Sequence, residues 1–297
     1  MLDVRRLRLL AELAHRGTIA AVAQAFAFTP SAVSQQLSAL EREAGLPLLE
    51  RTGRTVTLTP AGHTLVRHAE AVLAQLERAR AELVSARAGV AGPVRIGTFP
   101  SAGRTLLSAA LVELARAHPT LEPHLVELDP ADVADALRTG NLDVALVHEY
   151  DFAPAAGEAT TPLWTEAMYL AQGSPPAHRN EALEHHRDSP WIAATPGTMC
   201  RRMTDRACAA AGFEPRVRHQ VDDFATVLAL VAAGQGVALV PELGLVDRPD
   251  GVHLTRLGLS RRTRLAHRAG AEDHPAVRAV AEAFGLAAKT EPAHSPR

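Results

Sequence analysis

Cysteine, lysine and aromatic side chains are all scarce in this chain, and each scarcity narrows what it can be. Cys200 and Cys208 are the only cysteines. The local pattern puts both on one helix, where eight residues at about 1.5 Å rise hold them on the order of 12 Å apart, too far for a disulfide without unfolding. Aromatic residues make up 4 % of the chain against 47 % hydrophobic residues overall, so the cores must be built from Leu, Val and Ala. Lys occurs once, at Lys289, and arginine carries nearly all the positive charge. That preference suits phosphate contacts but runs through the whole chain. No window approaches the roughly 18 apolar residues of a membrane span, and Met1-Leu-Asp-Val-Arg-Arg does not open a signal peptide. A cytoplasmic protein with no membrane partner is expected.

Signatures of catalysis are missing too. Among fourteen histidines none has the i, i+4 spacing of a helical zinc site, and the adjacent His185 and His186 read as a solvated pair. Gly97-Thr-Phe-Pro-Ser-Ala-Gly103 lacks the Lys of a phosphate loop, and no Gly-x-Ser-x-Gly elbow occurs. The expectation is therefore no enzyme, no cofactor and no metal.

What is present is organised around Ser31 to Glu43. At helical period Val33, Leu37 and Leu40 share one face, while Ser31, Ser34, Gln35, Ser38 and Arg42 share another. Short hydroxyls and amides occupy that second face, and these are the side chains that reach base edges from a helix in the major groove. Thr29 is a good N-cap and Pro30 suits the first helical position. Upstream, helices are expected over Val4 to Arg16, ended by Gly17, and over Ile19 to Ala25, capped by Thr18. The short segment Phe26 to Thr29 then makes the second and third helices a helix-turn-helix. Downstream, Leu46 to Arg51 and Val56 to Thr59 alternate around Thr52-Gly53-Arg54 as a small hairpin. Arg51 and Arg54 near its tip read either as phosphate or minor-groove contacts or as solvated loop arginines.

Charge is divided accordingly. The net charge is −2, yet residues 1 to 88 hold 11 Arg against 8 acidic residues, and the remainder 20 basic against 25 acidic. The positive end is where nucleic acid is expected.

From Pro60 a helix is expected to about Ala88, roughly 40 Å long at 1.5 Å per residue. Ala61, Leu65, Ala69, Val72, Leu76, Ala79 and Leu83 form a nearly heptad seam, read as a self-pairing surface in preference to packing on the same chain. Gly89 to Pro93 reads as a hinge. From Val94 onward strands and helices alternate. Strands are expected at Val94 to Phe99, Leu121 to Leu128, Leu142 to Val147, Ala167 to Ala171, Trp191 to Ala194, Arg216 to Val221, Gly236 to Val240 and Leu265 to Arg268. Helices are expected at Arg104 to Ala117, Pro130 to Arg138, Met199 to Ala211, Phe224 to Ala233 and Pro275 to Leu286. Residues 148 to 162 read as a loop and the C-terminal tail, 291 to 297, as disordered. Gly140 to Val147 and Gly234 to Val240 echo each other, a helix-stopping glycine before a buried strand, which implies two similar lobes.

Four linked runs resemble the LysR-type transcriptional regulators: Gly17-Thr-Ile-Ala-Ala-Val-Ala-Gln, Thr29-Pro-Ser-Ala-Val-Ser-Gln-Gln-Leu-Ser-Ala-Leu-Glu, Gly45-Leu-Pro-Leu-Leu-Glu-Arg, and Leu58-Thr-Pro-Ala-Gly62. The resemblance is strongest over residues 1 to 65. It implies an α/β protein with an N-terminal all-α winged helix-turn-helix over 1 to 59 and a dimerising linker helix over 60 to 88. A two-lobed periplasmic-binding-protein-like effector domain would follow over 89 to 290, with lobe 1 at about 93 to 164 and 266 to 287 and lobe 2 at about 165 to 265. Relatives often carry Gln at the position of Pro30, so a base contact made there is not carried over. The family further implies tetramers, and its peroxide-sensing branch uses a cysteine pair in the region of Cys200 and Cys208.

The functional expectation is a regulator that binds double-stranded DNA as a dimer on an interrupted inverted repeat. Thr29, Pro30, Ser31, Ser34, Gln35, Ser38, Arg42, Arg51 and Arg54 would lie at the DNA, and Leu65, Val72, Leu76 and Leu83 at the dimer seam. A small acidic effector would bind between the lobes at Phe99, Pro100, Ser101, His148, Thr198 and Phe224, with Ser101 and Thr198 near helix N-termini that favour anions. For those two residues, simple helix capping is the competing reading. The alternative function is a two-lobed solute binder or enzyme whose N-terminal helices serve only oligomerisation.

Overall fold

The computed structural model describes residues 1–52, 55–86, 90–150, 159–176, 183–246 and 248–290. The chain divides into two compact units, Met1–Arg87 with Ala269–His274, and Ala88–Arg268 with Pro275–Arg297.

In the first unit, α1 (Val4–Arg16), α2 (Ile19–Ala25) and α3 (Pro30–Ala44) start and stop where the capping residues dictate. The side chains of Asp3, Thr18 and Thr29 accept from free backbone N–H groups at the three N-termini, and Gly17 and Gly45 end α1 and α3 in the left-handed conformation. A two-stranded hairpin follows, β1 (Leu49–Thr52) against β2 (Thr55–Leu58), with Arg51 opposite Val56. The expected first strand began at Leu46. Instead Leu46 is exposed, and Glu41 Oε1 accepts from the amides of Leu48 and Leu49, tying the wing to α3. Arg54 and the side chain of Arg51 lie outside the described residues.

The helix α4 (Pro60–Ser85) begins where Thr59 accepts from the Gly62 amide and donates to the Pro47 carbonyl. Gly62 is required there, because a Cβ would sit 2.3 Å from the Leu48 carbonyl oxygen. Leu10, Val22, Val33, Leu37, Leu40 and Ala69 form the core of this unit.

The second unit is α/β and two-lobed. Its strands and helices run β3 (Gly92–Thr98), α5 (Pro100–Thr105), α6 (Leu107–Ala117), β4 (Leu121–Glu127), α7 (Pro130–Thr139), β5 (Val144–Tyr150), β6 (Ala159–Gln172), β7 (Pro190–Ala193), α8 (Met199–Ala210), β8 (Arg216–Gln220), α9 (Phe224–Ala232), β9 (Ala238–Pro241), β10 (His253–His267) and α10 (Pro275–Thr290). Six strands form one sheet in the order β4-β3-β5-β10-β6-β9, and β7 and β8 form a parallel pair. The long strands β6 and β10 serve both lobes. Arg261 to His267 of β10 pair with β5, whereas His253 to Arg256 pair with the end of β6, which itself pairs with β9.

Several expected boundaries are corrected here. Residues 148–150 and 159–162, read as loop, lie in β5 and β6. The strand read as Leu265 to Arg268 is fifteen residues long. α10 runs on to Thr290, and the tail beyond it lies outside the described residues. The echoed segments do match, since Gly140 and Gly234 both take positive φ before the wholly buried strands β5 and β9.

Candidate DNA-reading face and effector cavity

On α3 the predicted division of faces is present. Val33, Leu37 and Leu40 are at most 1 % exposed. Ser34, Gln35, Ser38 and Arg42 line an open groove of about 700 Å³ together with Glu41, Gly45, Leu46 and Pro47. Thr29, Pro30 and Ser31, at the start of the helix, are exposed. The neighbouring glutamines differ: Gln36 accepts from Arg6 Nε and holds α1 to α3, while Gln35 is exposed on the groove.

The seam on α4 splits in two. Ala61, Leu65 and Ala69 pack on the core of their own unit, with Leu65 partly buried there. Val72, Leu76 and Leu83 are 41 %, 50 % and 72 % exposed, and these remain unpartnered apolar positions in one chain. Leu76 also borders a groove of about 730 Å³ lined by Val4, Phe28 and Leu73.

In the second unit a cavity of about 220 Å³ lies between the lobes, and Phe99, Pro100, Ser101, His148, Thr198 and Phe224 all line it. Every expected effector residue is therefore brought to one place, but their roles differ from the expectation. Thr198 caps α8, accepting from the Arg201 amide and donating to the Thr195 carbonyl at 2.8 Å. Its hydroxyl is committed to its own turn. Ser101 is no cap, because α5 starts from Phe99 without a side-chain cap bond. Its Oγ instead accepts from Arg261 Nη2 at 3.0 Å. His148 lies within β5 rather than beyond a strand end.

Arg261, absent from the expected site, is the centre of the cavity's polar structure. It is wholly buried, donates through Nε to Glu166 Oε1 at 2.7 Å, and stacks its guanidinium 5.0 Å from the Phe99 ring centroid. Glu166 also accepts from the Leu243 amide. Arg261 Nη1 and His148 Nδ1 are buried without a hydrogen-bond partner. Each such orphan costs on the order of 1–3 kcal/mol, which a ligand oxygen in reach would relieve. Burial, reinforced by the charge of Arg261, holds the His148 imidazole well below its ordinary range, so it is neutral at pH 7. The ring contacts Phe99 edge-on at 4.8 Å.

Asp129 and Asp222 also line the cavity. Asp129 Oδ1 caps α7 through the Ala131 amide and also accepts from the Met199 amide of the other lobe. Burial, opposed by those amide bonds but helped by Asp132 and Asp222, raises its pKa. Asp222 accepts from the Thr195 amide and hydroxyl, each at 2.8 Å. Ile192, Val221, Phe224, Val227 and Leu239 supply an apolar wall.

Both cysteines sit on α8, as expected, and both are free. Cys200 lines the cavity, 3.7 Å from the Tyr150 hydroxyl, and burial pushes its pKa up. Cys208 is in the core, its thiol pushed up to about 12 by burial and by Asp205. Among the described residues no group of three or more His, Cys, Asp or Glu is placed to hold a metal ion. No helix there is long and apolar enough to cross a membrane.

Comparison with known proteins agrees with this architecture. Residues 4–63 match the bacterial regulatory helix-turn-helix protein model of the lysR family, and residues 87–288 match the LysR substrate binding domain model. The hydrogen peroxide-inducible genes activator of Dickeya chrysanthemi is 30 % identical over 256 residues, covering 84 % of this chain and 83 % of that protein. The HTH-type transcriptional activator IlvY of Salmonella typhimurium is 29 % identical over 254 residues, covering 84 % and 86 %. In fold the chain is similar to the peroxide-bound structure of a cysteine-to-serine mutant of OxyR from Corynebacterium glutamicum, with a TM-score of 0.61 at 24 % identity over 97 % of this chain and 93 % of that one. With family models matched over both units, the chain belongs to the LysR family of DNA-binding transcriptional regulators.

Proposed function

We propose that this regulator reads an interrupted inverted repeat as a dimer and adjusts that binding when a small carboxylate-bearing metabolite occupies the cavity of its second unit. It acts in the cytoplasm and catalyses no reaction. The divisions proposed from the sequence, 1 to 59 for DNA, 60 to 88 for pairing and 89 to 290 for the effector, serve these three roles.

The observation that carries the reading is the solvent face of α3. A helix buried along Val33, Leu37 and Leu40 presents Ser34, Gln35, Ser38 and Arg42 on one open groove. Solvation alone does not call for short amides and hydroxyls there, whereas base-edge contact does. Gln35, free of the tie that holds Gln36, is assigned to base reading, with Ser31 and Ser34 beside it. Ser38 and Arg42 are assigned to the phosphate backbone, joined from the wing by Arg51 and Arg54.

The test is a pair of substitutions in gel shifts against operator and random DNA. Gln35→Ala is expected to weaken operator binding by about 1–3 kcal/mol and leave random DNA unchanged. Arg42→Ala is expected to weaken both alike and flatten the salt dependence by about one phosphate contact. Equal loss on both DNAs for Gln35→Ala would remove its base-reading role.

A further inference from the structure

The charges around the cavity are more specific than a site for an anion requires. Among the described residues Arg261 is its one guanidinium, and Glu166 already neutralises that charge at 2.7 Å. Glu127, Asp129 and Asp222 add three carboxylates to the lining, and the neutral His148 brings no compensating charge. A dicarboxylate entering here would meet one paired cation and several anions. A ligand carrying one carboxylate and one ammonium would find a partner for each.

Two polar groupings line the cavity, one on α5, β5 and β10 and one at residues just before α7 and α9. At one pole are Arg261 Nη1 and His148 Nδ1, both buried and unpartnered, and Ser101, whose oxygen accepts from Arg261 so that its proton is left to donate. At the other pole Asp129 spends Oδ1 on two amides, leaving Oδ2 available, and Asp222 stands near it. Ile192, Val221, Phe224, Val227 and Leu239 add an apolar part to the lining. The volume, about 220 Å³, falls below the ~300–1,000 Å³ typical of larger ligands.

We propose that the effector is a small zwitterionic amino acid with an apolar side chain, its carboxylate held by Arg261 and Ser101 and its ammonium by Asp129 and Asp222. This rests on the reading of the cavity as the effector site. Binding gives the orphaned Arg261 Nη1 a partner at one pole and the crowded carboxylates one at the other, so both lobes gain contacts that neither has alone. Because Asp129 also accepts from the Met199 amide across the cleft, an ammonium on it reinforces an existing bridge between the lobes.

The experiment is calorimetry and thermal shift on the full-length protein with L-valine, L-leucine, L-methionine and L-phenylalanine. Each is paired with the 2-oxo acid and the amine of the same side chain, and succinate and 2-oxoglutarate are added. At least one amino acid should bind at least about tenfold more tightly than its 2-oxo acid and its amine, since each lacks one charged hydrogen-bond partner. Asp129→Asn keeps the helix cap and removes a carboxylate that burial disfavours. Its ligand-free melting temperature should be equal or higher, and its preference for the amino acid over the 2-oxo acid should be lost. Ser101→Ala should weaken the amino acid and the 2-oxo acid together. If the 2-oxo acids or dicarboxylates bind as well as the amino acids, and Ser101→Ala weakens them, the cavity remains the effector site and the zwitterion is excluded. Failure of all four amino acids to bind overturns the proposal. Amino-acid binding untouched by both substitutions overturns it together with the assignment of the cavity.

Discussion

Replacing Leu76 with Asp is expected to leave a folded protein that no longer pairs. Leu76 is half exposed in the single chain, as are Val72 and, more so, Leu83, so a carboxylate there remains in water while the chain is alone. Only in a dimer seam does the substitution place an unpaired charge against the equivalent residue of a second chain. Two-fold symmetry doubles the effect, because each partner contributes one such charge. Each half-exposed leucine has about half of the ~1.5–3 kcal/mol of full burial left to gain, so losing two weakens the dimer by roughly 10–10²-fold, before any desolvation of the carboxylates adds to it. Sedimentation at micromolar concentration should show monomers with unchanged helical circular dichroism, and operator affinity should fall with them. Dimers that persist unchanged would assign pairing to another surface. Leu65 provides the contrast: packed on the core of its own unit, it should lose stability rather than pairing when shortened.

The second large effect concerns the interior of the effector unit. Arg261→Met leaves Glu166 without its partner where both side chains are almost wholly inaccessible, 1 % and 4 % exposed. Breaking a buried pair from one side costs about 3–5 kcal/mol. The double variant Arg261→Met/Glu166→Gln removes both charges, while the Gln oxygen still accepts from the Leu243 amide, as Glu166 does. Most of the lost stability should return, because replacing a buried pair by groups of similar volume is often close to neutral. Urea unfolding of the three proteins checks this, and a double variant as unstable as the single one would mean that packing, not charge, governs the position.

These two positions also show what the sequence could and could not disclose. The seam was legible because apolar residues at steps of three and four are visible without knowing the neighbours, as were α1 to α3, whose limits are written in Asp3, Thr18, Thr29, Gly17 and Gly45. The halving of the seam was not legible, since Leu65 and Leu76 obey the same period and only the position of α1 separates them. β10 was mostly missed because Arg256, Arg261, Arg262, Arg264 and Gly258 give it the look of a solvated loop. Its arginines are tolerated through acids on the adjoining strands: Glu166 pairs with Arg261, and Glu149 lies within salt-bridge distance of Arg262 and Arg264. Glu149 in β5 and Glu166 in β6, each next to buried apolar residues, are the available signal for a buried arginine. The effector residues were found from strand ends and helix starts, which is a statement about backbone. Backbone alone gives no sign of Arg261, which comes from the middle of a strand, whereas Thr198 both lines the cavity and caps its helix, the competing reading for that residue.

The claim on which the rest depends is that the first unit reads DNA in pairs. Footprinting of the purified protein on the DNA upstream of its own gene, in excess random competitor, tests it most directly. Two protected half-sites related by a dyad and spaced by about one helical turn or a multiple of it, ~10–10.5 base pairs, are expected, with the pattern altered when an effector is present. Protection no stronger than on random DNA of equal length, with no dyad, would contradict the account.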